Sequence, residues 1–91
     1  MIRYKEAFQM TKERRWHNFE WPEWLNEAWN REPGENSLWV DPDDPGGENL
    51  VVGTLEGVHR VDWDDFIIQG IKGELYPCKP DIFEKTYEKL D

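Results

Sequence analysis

The chain is poor in the side chains on which most enzymes depend. Its 91 residues include one cysteine, one serine and two histidines, which are Cys78, Ser37, His17 and His59. The nucleophile motif Gly-x-Ser-x-Gly, the phosphate-binding Gly-x-x-x-x-Gly-Lys and the metalloprotease His-Glu-x-x-His are all absent from it. A dyad of Cys78 and His59 on adjacent strands is conceivable, but a single cysteine is usually a small buried apolar residue. The sequence therefore predicts a protein that is not an enzyme.

The lone cysteine also excludes an intrachain disulfide and a metal cluster built on cysteines. Four carboxylates around a Pro-Asp-Asp-Pro-Gly-Gly turn, those of Asp41, Asp43, Asp44 and Glu48, invite a calcium interpretation. The EF-hand spacing is missing there, so we expect neither a metal nor a cofactor. Because no signal peptide and no apolar run of membrane-spanning length occur, we expect a soluble cytoplasmic protein without a membrane partner.

Positive charge is scarce and unevenly placed. The net charge is −9, and it divides into +3 over residues 1–15, −8 over residues 16–49 and −4 over residues 50–91. General nucleic-acid binding is not expected, because contacts to phosphates supply most of its affinity. A local basic pocket could still hold one small anion. The acidic stretch 16–49 could also imitate nucleic acid towards a protein that binds it.

Tryptophan, in contrast, is abundant, with six copies in the chain. Only 37% of the residues are hydrophobic, so we expect a domain of this size to gain part of its apolar burial by self-association. Trp24, Leu25, Ala28 and Trp29 share one face of a helix predicted over residues 21–29. Packing of Trp24 and Trp29 against a sheet is the simpler interpretation. An exposed indole that serves as a stacking platform is the alternative.

Short apolar runs alternate with turns that contain glycine. They predict strands over residues 2–10, 37–41, 50–55 and 58–63, and on both sides of Lys72-Gly73. Glu56-Gly57 and Lys72-Gly73 are predicted as two-residue hairpin loops, since glycine tolerates the positive φ that such loops need. A short helix is expected from Asp81, with Phe83 and Tyr87 four residues apart on one of its faces. We predict one α+β domain over residues 1–91, a small antiparallel β-barrel or roll of five or six short strands with one or two short helices.

The same C-terminal region carries a resemblance to a known family. The run IIQGIKGELYPCKPDIFEKTYE resembles the C-terminal signature of small tailed-phage and prophage proteins, and VGTLEGVHRV and EAFQMT resemble other parts of that family. Together these segments cover about half of the chain. Where the family has Pro-Gly-Asp, this chain has Trp63-Asp64-Asp65, so the turn there is expected to differ. The resemblance implies a phage origin, a location in the host cytoplasm and a shared fold, and it does not imply a mechanism.

Small phage proteins without catalytic groups commonly act by binding. One class, the anti-CBASS sponges, sequesters the cyclic nucleotide messengers of bacterial immunity by means of basic and aromatic residues at subunit interfaces. The basic islands and the aromatic surplus of this chain suggest the same role, with a small anionic nucleotide such as a cyclic dinucleotide as ligand and a homo-oligomer as binder. The candidate ligand-binding residues are Arg3, Lys5, Trp29, Trp39, Arg60, Lys72, Tyr76 and Lys79.

Two other functions stay open at this stage. The protein could be an acidic inhibitor that occupies the nucleic-acid channel of a host defence enzyme, with the stretch 16–49 as the mimic. It could also be a minor structural part of the virion. For Lys72 and Lys79, ordinary solvation at turns is the plain alternative to ligand binding.

Overall fold

The computed structural model describes residues 2–90, and over this range the chain forms eight short strands and two α-helices. The strands are β1 (Ile2–Tyr4), β2 (Glu6–Gln9), β3 (Leu38–Val40), β4 (Leu50–Thr54), β5 (Gly57–Val61), β6 (Phe66–Gln69), β7 (Leu75–Cys78) and β8 (Tyr87–Lys89), and the helices are α1 (Glu23–Asn30) and α2 (Pro80–Thr86). Two 3₁₀ turns, Arg14–Trp16 and Asn18–Glu20, lead into α1. Neither helix in the described part of the chain has the length or apolarity to span a bilayer.

The strands of residues 2–90 are arranged in three small sheets. One is antiparallel with the order β3-β4-β5, a second is antiparallel with the order β2-β6-β7, and the third is the parallel pair β1-β8. Both antiparallel sheets are built around a hairpin, as the glycine-containing turns predict. The parallel pair joins the two ends of the described chain, with Ile2 opposite Tyr87.

One hydrophobic core holds these elements together. Its fully buried members come from β3, β4, β5, β6, β7 and α1 and from the segments that flank α1 and β2, namely Met10, Trp21, Leu25, Ala28, Leu38, Leu50, Val52, Val61, Ile67 and Leu75. Trp24, Trp29 and Trp63 pack against this core from its margin. The core interpretation of Trp24 and Trp29 is therefore confirmed. The exposed indole of the chain is that of Trp16.

The α+β class is confirmed, but the expected barrel is not found: within residues 2–90 no sheet closes on itself. The predicted strand 2–10 is interrupted at Lys5, and its two halves join different sheets. This split and the extra strand β8 raise the strand number above the five or six predicted. Pairing of β1 with β8 depends on residues far apart in sequence, so local periodicity carries no signal for it.

Both hairpin loops differ in detail from the prediction. In β4-β5 the paired residues Thr54 and Gly57 enclose Leu55-Glu56, so the loop lies one position earlier than expected. Gly57, with φ +118°, belongs to the strand. In β6-β7 the loop spans residues 70–74, because Gln69 pairs with Leu75. Gly73 there has φ +85°, which is the positive angle predicted for the tip.

An aromatic cluster fixes the C-terminal segment. The Phe83 ring of α2 stacks on Phe66 of β6 at 4.1 Å between centroids, and it lies 5.1 Å from Tyr4 of β1 and 5.9 Å from Tyr87 of β8. Helix α2 buries no residue fully. These ring contacts therefore hold α2 and β8 on the sheets and set the position of Tyr87.

Candidate binding groove

A groove of about 440 Å³ lies between the β4-β5 hairpin, β7 and the β1-β8 pair. It is lined by Ile2, Thr54, Leu55, Glu56, His59, Glu74, Leu75, Tyr76, Pro77 and Tyr87. A smaller depression of about 160 Å³ adjoins it and shares His59 and Pro77, and it is further lined by Arg60, Asp62, Asp65, Cys78 and Lys79. Because they share His59 and Pro77, the groove and the depression lie next to each other along β5 and β7.

Two tyrosines form the aromatic part of the groove wall. The rings of Tyr76 and Tyr87 lie 5.9 Å apart between centroids and are tilted by 37°. Burial raises the pKa of Tyr76 to about 12, and the neighbouring Tyr87 and Glu74 add to this increase. The pKa of Tyr87 is raised as well, again mainly by burial. Both phenols are therefore neutral at physiological pH and can donate and accept hydrogen bonds.

Charge along this surface is ordered from end to end. Glu56 lies at the β4-β5 tip and Glu74 directly precedes β7, so both carboxylates are at the end where β5 and β7 begin. Arg60 near the end of β5 and Lys79 just after β7 lie at the opposite end. The long groove thus has an acidic end, and the adjoining depression supplies the cations.

The two cations are already paired with carboxylates. Lys79 Nζ donates to Asp62 Oδ2 at 2.7 Å, and it lies 3.1 Å from Oδ1 of the buried Asp65. Arg60 Nε lies 3.4 Å from Asp62 Oδ1. Hydrogen bonds from Lys79 to Asp62 and then Asp65 raise the pKa of the lysine. Asp62 therefore bridges Arg60 and Lys79, and an anionic ligand would have to replace it as their partner.

Cys78 and His59 both line the depression, but their strands β7 and β5 belong to different sheets and are not the adjacent strands of the dyad hypothesis. The pKa of the thiol is raised, first by burial and then by the charges of Asp65 and Asp81. A nucleophilic cysteine needs the opposite shift, because the thiolate is the reactive form. The surroundings of Cys78 thus favour an unreactive thiol. Within residues 2–90 no three side chains of His, Cys, Asp or Glu come together as a metal site would require.

The predicted ligand-binding residues fall into two groups. Tyr76 lines the groove, and Arg60 and Lys79 line the adjoining depression. Lys72 is exposed in the loop 70–74, close in sequence but not part of either lining. The other four lie elsewhere: Arg3 and Lys5 are exposed in and after β1, Trp39 is half-buried in β3, and Trp29 packs on the core.

Sequence reasoning missed several groove residues. Tyr87 was predicted on a helix face with Phe83, whereas it begins β8 and turns towards Tyr76 while still stacking on Phe83. Glu56 and Glu74 were not among the predicted ligand-binding residues, and their positions beside Gly57 and Gly73 were the available signal. Residues at turn tips are also frequent ligand contacts.

The fold and groove define a small α+β protein with an open, aromatic, charge-ordered surface site. No family model, curated protein or solved structure matches the chain. The resemblance to small phage proteins therefore stays a prediction from the sequence.

Proposed function

We propose that the protein is a phage immune-evasion protein that binds and sequesters a cyclic dinucleotide signal of bacterial antiphage defence without transforming it. The phage origin rests on the sequence resemblance alone. The observation that carries the binding role is the groove, in which Tyr76 and Tyr87 lie beside the Arg60–Lys79 end of the adjoining depression. Aromatic faces stack on bases, and these cations are the groups that bind phosphates.

The size of the groove supports a small ligand. Its volume of about 440 Å³ lies in the range of about 300–1,000 Å³ that is typical of small-molecule sites. The groove lies towards the lower end of that range, so we propose that one half of a cyclic dinucleotide occupies it while a second copy of the protein contacts the other half. Ile2 and Leu55 at its margin are exposed apolar residues that such a contact would bury.

Calorimetry of the full chain with cyclic di-GMP, cyclic di-AMP and a cyclic triadenylate tests the proposal. We expect one of these to bind with a micromolar or lower Kd and to be recovered intact by mass spectrometry. Tyr76→Leu should abolish binding. Trp16→Leu, which removes an exposed ring outside the groove, is the matched control and should not. If no ligand binds more tightly than about 1 mM, roughly −4 kcal/mol, the proposal is wrong.

A second candidate function rests on the acidic stretch. Of its nine carboxylates, that of Asp44 accepts hydrogen bonds within the protein, from the amides of Asn49, Gly46 and Glu48, and these bonds lower its pKa. Asp41 accepts one from the amide of Asp43. The other seven, Glu20, Glu23, Glu27, Glu32, Glu35, Asp43 and Glu48, are exposed. This surface suits an acidic inhibitor that occupies a nucleic-acid channel.

Neutralisation of that surface separates the two candidates. Changing Glu20, Glu23, Glu27 and Glu32 to Gln should abolish displacement of labelled duplex DNA from a panel of host defence nucleases if the protein is a mimic. The same four changes should leave calorimetric binding of cyclic dinucleotides intact. Lys79→Ala should weaken the binding of cyclic dinucleotides and leave the displacement of DNA intact. If the protein with the four Glu→Gln changes displaces DNA as well as the parent does, the mimic is excluded.

A further inference from the structure

We propose that the groove selects a guanine base, and that Glu74 is the residue which recognises it. This inference rests on the proposed function, because it concerns the same groove. Its basis is the placement of a carboxylate at the end of the groove opposite the cations. A nucleotide is itself polarised in this way, with the base at one end and the phosphate at the other.

The chemistry of guanine matches this end of the groove. Guanine presents two adjacent donors, N1–H and the N2 amino group, on its Watson–Crick edge. A carboxylate accepts both at once through its two oxygens, which gives a charge-assisted bidentate pair. Adenine presents one donor next to one acceptor on the same edge, and its acceptor would face a carboxylate oxygen with the same charge sign. The acidic end therefore favours guanine over adenine.

Glu74 is held in position for this role. Its Oε1 accepts a hydrogen bond from the amide of Lys72 at 2.9 Å, and this bond fixes the carboxylate within the loop 70–74. The bond uses one of about four lone-pair sites of the carboxylate, so each oxygen keeps a site for the base. Glu74 is half-buried, and it directly precedes β7, which carries Tyr76. Its charge contributes to the raised pKa of Tyr76, so the two side chains are close. A base stacked on Tyr76 would thus have its edge near Glu74.

The close approach at Gly70 gives further support. A side chain at position 70 would overlap the Glu74 side chain, so the absence of a side chain there makes room for the carboxylate. Glu56 lies across the same end at the tip of β4-β5 and is exposed. Of the two, Glu74 is the anchored group, and a fixed acceptor discriminates better between bases than a mobile one.

Calorimetry with cyclic di-GMP and cyclic di-AMP on the full chain tests the inference. We expect cyclic di-GMP to bind at least tenfold more tightly. Glu74→Gln retains an oxygen for the Lys72 amide but presents an NH₂ group in place of the second acceptor. It should weaken cyclic di-GMP binding by about tenfold to a hundredfold, the usual effect of losing a bidentate base contact, and leave cyclic di-AMP binding nearly unchanged.

Glu84→Gln is the matched control, because it removes the same charge from an exposed position on α2 outside the groove. It should change neither affinity. Equal binding of the two nucleotides, or a preference for cyclic di-AMP, would overturn the inference while the proposed function stands. So would a Glu74→Gln protein with unaltered affinity for cyclic di-GMP. If neither nucleotide nor the cyclic triadenylate binds, the proposed function and the inference both fail.

Discussion

Arg15 and Arg60 carry the same charge in opposite surroundings. Arg15 is only 5% exposed, and its guanidinium donates to the carbonyl oxygens of Glu48 at 2.9 Å and Gly47 at 3.3 Å. Its guanidinium carbon lies 4.3 Å from the ring centroid of Trp16 and 5.2 Å from that of Trp29. Arg60 is exposed, and its guanidinium makes a loose ion pair with Asp62.

The difference shows which positive charges can serve a ligand. Burial lowers the pKa of Arg15, partly offset by Glu48, but a guanidinium still keeps its proton at physiological pH. Its hydrogen bonds join the 3₁₀ turn Arg14–Trp16 to the loop that contains Gly47 and Glu48. The guanidinium of Arg15 therefore stabilises the fold and is not free to bind a ligand. Arg60 is bound through exposed Asp62, and a surface pair of this kind is worth only about 0–1 kcal/mol, so Arg60 can change partners at small cost. Lys79 is shared between exposed Asp62 and buried Asp65, so a ligand could replace Asp62 while the contact to Asp65 remains.

The largest effect should come from Arg15→Ala, which tests the structural side of the comparison. It leaves two loop carbonyls without their charged donor and exposes the faces of two indoles. We expect a loss of about 3 kcal/mol in the free energy of unfolding, measured by urea denaturation. Arg15→Met keeps the apolar stem but loses the hydrogen bonds, so it should be destabilised by most of the same amount.

Lys12→Ala, at an exposed position in the same segment, is the control and should stay within about 0.5 kcal/mol of the parent. A loss of less than about 1 kcal/mol for Arg15→Ala would mean that the loop carbonyls find water instead.

Tyr76 gives the next largest effect, on the stability of the groove wall. Because its pKa is about 12 in the folded chain and about 10 when unfolded, the folded state binds the phenolic proton more tightly. This contribution to stability is complete below pH 10 and is lost as the pH rises from about 10 to about 12. Partial exposure reduces the expected loss to roughly 1 kcal/mol.

Urea denaturation at pH 9 and pH 11.5 measures this loss, and Tyr76→Phe is the control, since it has no titrating proton. The difference between the two proteins should appear only at the higher pH. An identical pH dependence for both would show that Tyr76 titrates as an ordinary exposed tyrosine.

Asp62→Asn tests whether the exposed cations are available. The change removes the charge that bridges Arg60 and Lys79, so cyclic di-GMP should bind about threefold to tenfold more tightly by calorimetry, an effect of about 1 kcal/mol. Asp64→Asn is the matched control. Asp64 is a neighbouring exposed carboxylate with φ +76°, a conformation that asparagine also tolerates, and its change should leave the affinity unaltered. Weaker binding by the Asp62 variant would contradict a phosphate site there.

The smallest effect is expected for Arg60→Ala on stability. Its ion pair with Asp62 is long and both side chains are about half exposed, so the free energy of unfolding should change by no more than about 0.5 kcal/mol. The same substitution should weaken cyclic di-GMP binding severalfold. A stability loss similar to that of Arg15→Ala would end the distinction between the two arginines.

Much of the local structure follows from sequence pattern. The helix predicted over residues 21–29 is found at Glu23–Asn30, because Leu25 and Ala28 repeat with the helical period and Pro22 suits its start. The two hairpins are also found. Gly73 has the positive φ predicted for its turn, whereas the positive φ of Gly57 lies at the start of β5. Errors of one to three residues in the loops arise because register is set by strand pairing across the sheet.

The candidate site was predicted less well, for a related reason. Arg60, Tyr76 and Lys79 were predicted because basic side chains bind phosphates and aromatic rings stack on bases. Tyr87 was assigned to a helix face, although the chain leaves the helix at that residue and pairs with β1. Trp29 and Trp39 were chosen for their ring chemistry, and composition cannot distinguish an indole that packs on the core from one that stacks on a ligand.

The sequence by itself determined the elements: the helix, the two glycine-turn hairpins, the acidic middle and the few basic positions around it. These depend on neighbours in the chain, on local steric limits and on charge. The tertiary structure alone decided that the chain ends pair as parallel strands, that an aromatic cluster around Phe83 turns Tyr87 into the groove, and that Asp62 holds Arg60 and Lys79 together. Each of these arrangements includes a contact between residues distant in sequence, which are Ile2 with Tyr87, Phe66 with Phe83 and Asp62 with Lys79. Such contacts form only when the chain has folded.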